Sequence, residues 1–354
     1  MELFPLQKAL QIFGRNADDP GIDDLRLPPF ARSLSSNRRL KSWSLRELPS
    51  VGEVVGFLEK PVQPIALAVF VTKGGVLKST LTLNIARMAA LHGIRTCVVG
   101  LDMQGDITSA LNPDDLENSS DAETSLADAL AKFDSLRGLA DVFSGDAKLD
   151  EVVLATEIPT LSFIPETPEI VALDQSLLHR NRREYWLQEY VVNPLKDKFD
   201  LILLDCSPNW NRLITNALVA SDVLISPLEC KINNFRNFKT FQALLEEFRS
   251  DMRSRFRHIY VPTRLSPNRK LSREIFDWYR THLPNCTNTA VRESLQGEEA
   301  MAMRLSIPEY APASAPAQEV RGLLREVWHV LTAGERTRAA GESKQSHSMI
   351  EASI

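Results

Sequence analysis

The chain has 354 residues, 44% of them hydrophobic and 25% charged, the proportions of a globular protein; collagen-like, low-complexity and wholly disordered classes are excluded. A net charge of -5 excludes a globally basic nucleic-acid coat and leaves only local basic patches. The longest apolar run, Ile65–Val71, is far shorter than the roughly 20 residues of a membrane span, and the start MELFPLQKAL has no basic region followed by an apolar one, so no secretory signal is expected. Cys97, Cys206, Cys230 and Cys286 are widely spaced without a CxxC pair, which argues against a zinc site or disulfide framework and for a reducing, cytoplasmic setting.

Residues 1–60 differ from the rest. They are rich in proline and polar clusters, and from Arg26 to Lys60 seven basic residues stand against three acidic ones. Ser44-Leu-Arg-Glu47 has the spacing of a capping box that starts a short helix, although Pro49 would sit awkwardly near its middle, and Val51–Leu58 suits a second. The segment reads as a small helical extension, with a helix-turn-helix reader of DNA as the sharper alternative. Pro61 and Pro64 mark a linker.

From Ile65 the pattern becomes apolar strand, loop, amphipathic helix, repeated. Strands are expected at Ile65–Val71, Arg95–Gly100, Leu201–Leu204, Val223–Ser226 and His258–Val261, and helices at Ser79–Leu91 and about Asn211–Ala220. Continuously apolar strands are buried on both faces, and helices between them imply parallel crossovers. The fold expected is α/β, a doubly wound, mostly parallel sheet over residues 65–332, with ligands bound beyond the carboxyl ends of its strands. The acidic stretch containing Asp114, Asp115, Glu117, Asp121 and Glu123 reads as surface helix and loop. Arg180, Arg182 and Arg183, with Tyr185, Trp186 and Leu187, read as one packed amphipathic helix. Residues 333–354, small and polar, read as a disordered tail.

The first strand runs directly into Thr72-Lys73-Gly74-Gly75-Val76-Leu77-Lys78-Ser79-Thr80 and then a helix. Two glycines let the backbone turn its N–H groups toward an anion, and the helix start offers its positive end to the same charge. Lys78 can reach the β- and γ-phosphates of a nucleotide, and the Ser79 hydroxyl can ligate Mg2+. Thr72 and Leu77 stand where the common phosphate loop, G-x-x-x-x-G-K-[ST], has glycines.

Lys-Gly-Gly-x-x-Lys-[Ser/Thr] resembles the deviant Walker A loop of the ParA/MinD superfamily, with its signature lysine at Lys73. Leu101-Asp-Met-Gln-Gly-Asp106 resembles the D-x-D-P-Q-G-N switch segment of the ParA partition ATPases. Phe199–Pro208, followed by Asn216-Ala-Leu, resembles their Walker B strand and the next helix, and Ser306–Gln318 resembles the segment before their last helix. The likeness covers about Ile65–Leu331, in the family's order. It implies a P-loop ATPase using ATP and Mg2+, with nucleotide held between two subunits. The implied catalytic set is Lys73, reaching the partner's phosphates, Lys78, and Asp102, positioning the attacking water. Nucleotide binding falls to Lys73, Gly74, Gly75, Val76, Leu77, Lys78, Ser79 and Thr80, with Pro262 and Thr263 at the adenine. Ser79 and Asp205 hold the metal, and Gln104 and Gly105 sense the γ-phosphate. Three departures stand out. Leu77 replaces a common glycine, at a cost of about 1–2 kcal/mol if its φ is positive. Gly100 and Met103 replace the first aspartate and the proline of the switch pattern, and bear on hydrolysis more than on binding.

From Arg249 to Arg273 eight basic residues face only Asp251. Arg253, Arg255, Arg257, Arg269, Lys270 and Arg273, with Arg321 and Arg325 on the last helix, form the candidate DNA-binding set; such contacts release counterions and weaken with salt. The function the resemblance implies is plasmid or chromosome segregation: ATP-dependent homodimerisation, non-specific DNA binding on the nucleoid, and weak hydrolysis stimulated by a ParB-type centromere-binding partner. The alternative is a nucleotide-switched DNA-binding regulator that scarcely hydrolyses. A membrane-cycling, MinD-like role would need a C-terminal amphipathic membrane helix, which residues 333–354 do not supply.

Overall fold

Strand β4 (Ile65–Val69) alternates in burial partners as well as in sequence: Ile65, Leu67 and Val69 enter one apolar core, and Ala66 and Ala68 enter a second. Side chains two apart share a face of a strand, so this strand is covered on both sides, as its uninterrupted apolar run requires. The computed structural model describes residues 3–22, 24–29, 31–35, 38–112 and 135–351, with backbone alone for the described residues within 31–40 and for 334–351. The acidic run Asp114–Glu123 lies outside the described residues.

The central sheet has seven strands in the order β10-β9-β4-β8-β5-β7-β6. These are β5 (Thr96–Leu101), β6 (Leu154–Ala155), β7 (Leu161–Ile164), β8 (Leu201–Cys206), β9 (Val223–Glu229) and β10 (Arg257–Thr263) with β4. All pairings are parallel except β6 with β7. The expected doubly wound sheet is present; β5, β8, β9 and β10 run one to three residues past their expected ends, while β4 stops two residues short of its own, at Val69. Helix α3 (Lys78–Leu91) follows β4 and α4 (Asp106–Leu111) follows β5; α5 (Ile170–Ser176), α6 (Arg212–Ala220), α7 (Ile232–Met252) and α8 (Lys270–His282) complete the main crossovers. Asn211 caps α6 by accepting from the Ile214 amide at 2.9 Å.

The N-terminal segment is not an all-helical appendage. Strands β1 (Leu3–Pro5), β2 (Ala31–Ser35) and β3 (Arg38–Ser44) form a separate antiparallel sheet ordered β1-β3-β2. Its helices α1 (Leu6–Ile12) and α2 (Leu48–Val55) lie on either side of that strand pair in the chain, so they do not make a helix-turn-helix, whose helices are joined by a short turn. The Ser44–Glu47 box forms, Glu47 accepting from the Ser44 amide (2.7 Å) and hydroxyl (2.8 Å), but it closes the turn before α2. Pro49 therefore falls in the first turn of the helix, where its missing N–H is harmless.

This segment shares one of the two cores of the central sheet: Leu10, Phe13, Trp43, Leu48 and Val51 join Met88, Leu91 and Trp328 in one cluster. A Cβ on Gly52 would lie 1.9 Å from the Leu91 carbonyl, which fixes how closely α2 docks on the end of α3. The last helix, α10 (Ala315–Glu351), follows α9 (Leu295–Ala302) and the turn Ile307–Tyr310. Its Trp328 donates to the Glu59 carbonyl at 2.7 Å. The helix continues through Glu351, so the expected disordered tail from Ala333 is instead helical backbone. Its alanine, glutamate, arginine, lysine and glutamine content, free of proline after Pro316, permits continuation.

The Arg180–Leu187 region is also corrected. It is a chain of short turns, Leu177–His179, Arg183–Tyr185 and Gln188–Val192, broken where Arg182 takes φ +53°. Trp186 and Leu187 are nevertheless buried as expected.

Candidate nucleotide-binding site

The loop between β4 and α3 sits at the carboxyl edge of the sheet. Gly75 takes φ +69° and Leu77 φ +70°, ψ +32°, so Leu77 occupies the left-handed region that costs a branched residue about 1–2 kcal/mol. No atom lies within 4 Å of where a Cβ would project at Gly74 or Gly75, leaving their backbone open to a ligand. Inside the loop the Lys78 ammonium donates to the Lys73 carbonyl at 3.0 Å. Burial lowers the Lys78 pKa from its ordinary value, and the Asp205 and Asp102 carboxylates oppose that shift.

Asp205, at the end of β8, is fully buried. It accepts from the Ser79 hydroxyl at 2.8 Å and the Thr82 hydroxyl at 2.6 Å. Burial, the dominant cause, lifts its carboxyl to about 6. A hydroxyl and a carboxylate meeting at the foot of the phosphate loop are hard oxygen donors of the kind Mg2+ takes with phosphate and water, so the residues present fit that ion. Among the described residues no cluster of three or more His, Cys, Asp or Glu could hold a metal, and the four cysteines are free thiols.

Across the loop, Asp102 at the end of β5 is buried and accepts from the Gln104 amide at 3.2 Å. Gly105 turns the chain into α4 with φ +71°, and Met103 is exposed. Asp102, Met103 and Gln104 line a cleft of about 640 Å³, with Gly74, Gly75, Leu77, Lys78, Ser79 and Thr80 on one wall. Sequence reasoning missed Asp174 on α5 and Ser207–Asn209 after β8, which line the opposite wall. Asp174 accepts from the Leu213 amide at 2.8 Å and so holds the start of α6.

A second hollow of about 440 Å³ adjoins the first, sharing Leu77, Thr80, Asp106, Arg264 and Met301. Its far wall is Val291–Ser294 and α9. Pro262 lines neither hollow: β10 runs two residues past its expected end, so Pro262 lies within the strand and accepts from the Val291 amide at 3.0 Å. Thr263, also in the strand, reaches only a small void beside Leu77 and Thr80. Arg264, the residue after the strand, is among those that line both hollows, held by Glu229 at 3.6 Å and Glu293 at 3.3 Å. Lys73 and Val76 likewise lie off the main cleft, at a crevice beside Pro227–Glu229 and α7.

The DNA-binding candidates separate. Arg253 and Arg255 precede β10 and Arg269, Lys270 and Arg273 follow it, all exposed. A seven-residue strand is about 20 Å long, so they form two groups at opposite edges of the sheet. Three candidates bind the protein itself. Arg257 donates to the Val330 and Leu331 carbonyls. Arg321 is buried and donates to the Gln11 carbonyl at 3.2 Å. Arg325 is exposed but stacks 4.2 Å from the Phe57 ring. Arg257 and Arg321 are thus structural fasteners.

The family described as "AAA domain" matches residues 65–258, more than half of the chain. The chain belongs to this family, as a ParA/MinD-type member. The Chromosome partitioning protein ParA of Myxococcus xanthus is 30% identical over 45% of this chain and 50% of its own length; the match spans half of that protein. The Chromosome-partitioning ATPase Soj of Treponema pallidum is 27% identical over 72% of this chain and 93% of its own length. The fold is similar to that of Cobyrinic Acid a,c-diamide synthase from Mycobacterium smegmatis, solved with an ATP analog and magnesium: TM-score 0.60 at 22% identity, over 77% of this chain and 97% of that one. Among the described residues no helix is long and apolar enough to cross a membrane.

Proposed function

We propose that this partition-type ATPase hydrolyses ATP slowly, dimerises around it, and binds DNA in the ATP-bound form. The observation that carries the reading is the Lys78–Ser79–Asp205 arrangement at the end of β4 and β8, facing Asp102 across one cleft. In this reading the loop amides and Lys78 take the β- and γ-phosphates and neutralise charge that develops between them. Ser79 and Asp205 hold Mg2+, which supplies further charge neutralisation at the phosphates. Asp102 orients the attacking water; its short carboxylate is a positioner and a weak base, which suits slow turnover. The second hollow, beside Arg264, takes the nucleoside end. Lys73, which lines a crevice outside its own cleft, is the residue that would serve a partner subunit.

The exposed Arg269, Lys270 and Arg273 stand at the same sheet edge as the nucleotide cleft, and Arg253 and Arg255 at the other. A ParB-type centromere-binding protein that accelerates hydrolysis is the partner class this reading expects, with the protein resident on the nucleoid in the cytoplasm. The rival reading, a nucleotide-switched regulator with little hydrolysis, is motivated by Leu77 in the phosphate loop and Gly100 before the switch segment.

The test is self-association by sedimentation, with ADP and with ATP, using Asp102→Ala to slow turnover, and DNA binding across a salt series. Expected are dimers with ATP alone, and a DNA affinity whose logarithm falls linearly with the logarithm of salt. Monomers under every nucleotide condition would refute the proposal. Dimers and DNA binding in ATP without measurable phosphate release from the unaltered protein in a single turnover would select the regulator.

A further inference from the structure

Gly100 sits near the end of β5, directly paired with Asp205 on β8. A Cβ built on it would lie 2.3 Å from the Glu166 carboxyl carbon and 2.5 Å from its Oε1. Position 100 therefore has no room for a side chain, because the carboxyl group of another residue fills the space. Glu166 reaches it from just beyond β7 and is only 2% exposed.

The other carboxylate oxygen is committed. It accepts from the Thr108 amide at 2.8 Å and from the Thr108 hydroxyl at 2.6 Å, while the Glu166 amide donates to the Thr108 hydroxyl oxygen at 2.7 Å. Thr108 lies in the first turn of α4, whose amides have no helical partner of their own. The three bonds thus fasten the start of α4 to the end of β7. That start is also the far end of the loop carrying Asp102, Met103, Gln104 and Gly105. Glu166 Oε1 is buried without a hydrogen-bond partner, an expensive arrangement for a group kept only for packing.

We propose that Glu166 is a positioning residue for hydrolysis: its carboxyl group occupies the place left empty at Gly100 and clamps α4, so that the switch loop holds Asp102 against the phosphate loop. The proposal rests on the reading of the cleft as an ATPase site. Glu166 touches neither the phosphate loop nor Ser79 through any of its hydrogen bonds; it acts through Thr108. Burial, the largest cause, lifts its carboxyl to about 8, so a neutral amide of the same shape should keep the clamp.

The experiment compares the full-length protein with Glu166→Ala, Glu166→Gln and Thr108→Val, reading kcat and KM for Mg-ATP and, without nucleotide, amide hydrogen exchange across residues 104–111. Expected for Glu166→Ala is a loss of about tenfold or more in kcat, the scale of catalytic groups slightly misplaced, with KM within about threefold and faster exchange in α4. Glu166→Gln should stay close to the unaltered protein in both, and Thr108→Val should fall between. Unchanged turnover and exchange in Glu166→Ala would overturn the proposal. So would a loss confined to KM, or a Glu166→Gln protein as impaired as Glu166→Ala. If the unaltered protein hydrolyses no ATP, the ATPase reading fails on that result; the exchange data still decide whether Glu166 clamps α4. Should Glu166→Ala not fold, Thr108→Val and Glu166→Gln carry the comparison.

Discussion

Replacing Asp205 by asparagine should strengthen the fold and destroy metal-dependent binding at once. Asp205 is fully buried, and its partners are two neutral hydroxyls, with Lys78 nearby. Its carboxyl is raised from 3.8 to about 6, and a shift of that size is worth about 3 kcal/mol. The folded-state value lies above the unfolded one. The stabilising contribution is therefore complete below pH 3.8 and is lost as pH rises through about 6. Above that pH the nucleotide-free protein carries a buried charge that asparagine would not. Asparagine keeps an acceptor for Thr82 and a donor for the Ser79 oxygen, so most of the difference should appear: about 2–3 kcal/mol in favour of Asp205→Asn near pH 7.5. Urea denaturation without Mg2+ or nucleotide measures it from pH 4 to pH 8. The gap between the two proteins should open between pH 3.8 and about 6 and then level off. In the same protein, Mg2+ should no longer increase ATP affinity. An Asp205→Asn protein less stable than its parent near pH 7.5, with Mg2+-dependent ATP binding intact, would refute the assignment of Asp205 as a strained, metal-directed carboxylate.

Two other substitutions test the frame around the site. Arg87, fully buried in α3, donates to both Glu309 oxygens at 2.8 and 2.9 Å and to Glu157 at 2.7 Å. Arg87→Met leaves Glu309 as an unpaired buried charge and should cost about 3–5 kcal/mol; adding Glu309→Gln, which removes the charge and keeps an acceptor for the Ser306 amide and hydroxyl, should recover part of it. Chemical denaturation of both proteins decides, and an Arg87→Met loss below about 1 kcal/mol would show that the pair is not buried as described. At Leu77, glycine should be more stable than alanine by about 1 kcal/mol, because only alanine keeps the cost of positive φ. Equal melting of Leu77→Gly and Leu77→Ala would place the loop in another conformation.

The sheet was readable because β4, β5, β8 and β9 are short, nearly unbroken apolar runs separated by helical periodicity, a pattern with few physical solutions. The phosphate loop was readable because glycines, a lysine and a hydroxyl must follow such a strand closely. The N-terminal sheet was not: β2 and β3, Ala-Arg-Ser-Leu-Ser and Arg-Arg-Leu-Lys-Ser-Trp-Ser, are mostly polar and offer no apolar run to read as a strand. Pro262 was misplaced because proline normally ends a strand. Here it lies in β10, at the sheet edge, where a missing N–H is tolerated. Arg257 and Arg321 read as free charges because no sequence pattern marks the distant carbonyls of Val330, Leu331 and Gln11 that they bind. Glu166 left no local signal, since its meaning depends on the absence of a side chain at Gly100 on a neighbouring strand.

The central claim is that the loop from Thr72 to Thr80 grips a nucleoside triphosphate through Lys78. Calorimetric titration of Mg-ATP into the full-length protein and into Lys78→Ala, with matched circular dichroism to establish folding, tests it most directly. Removing a charged donor should weaken binding by about tenfold or more. A folded Lys78→Ala protein that binds Mg-ATP as tightly as its parent would contradict the account.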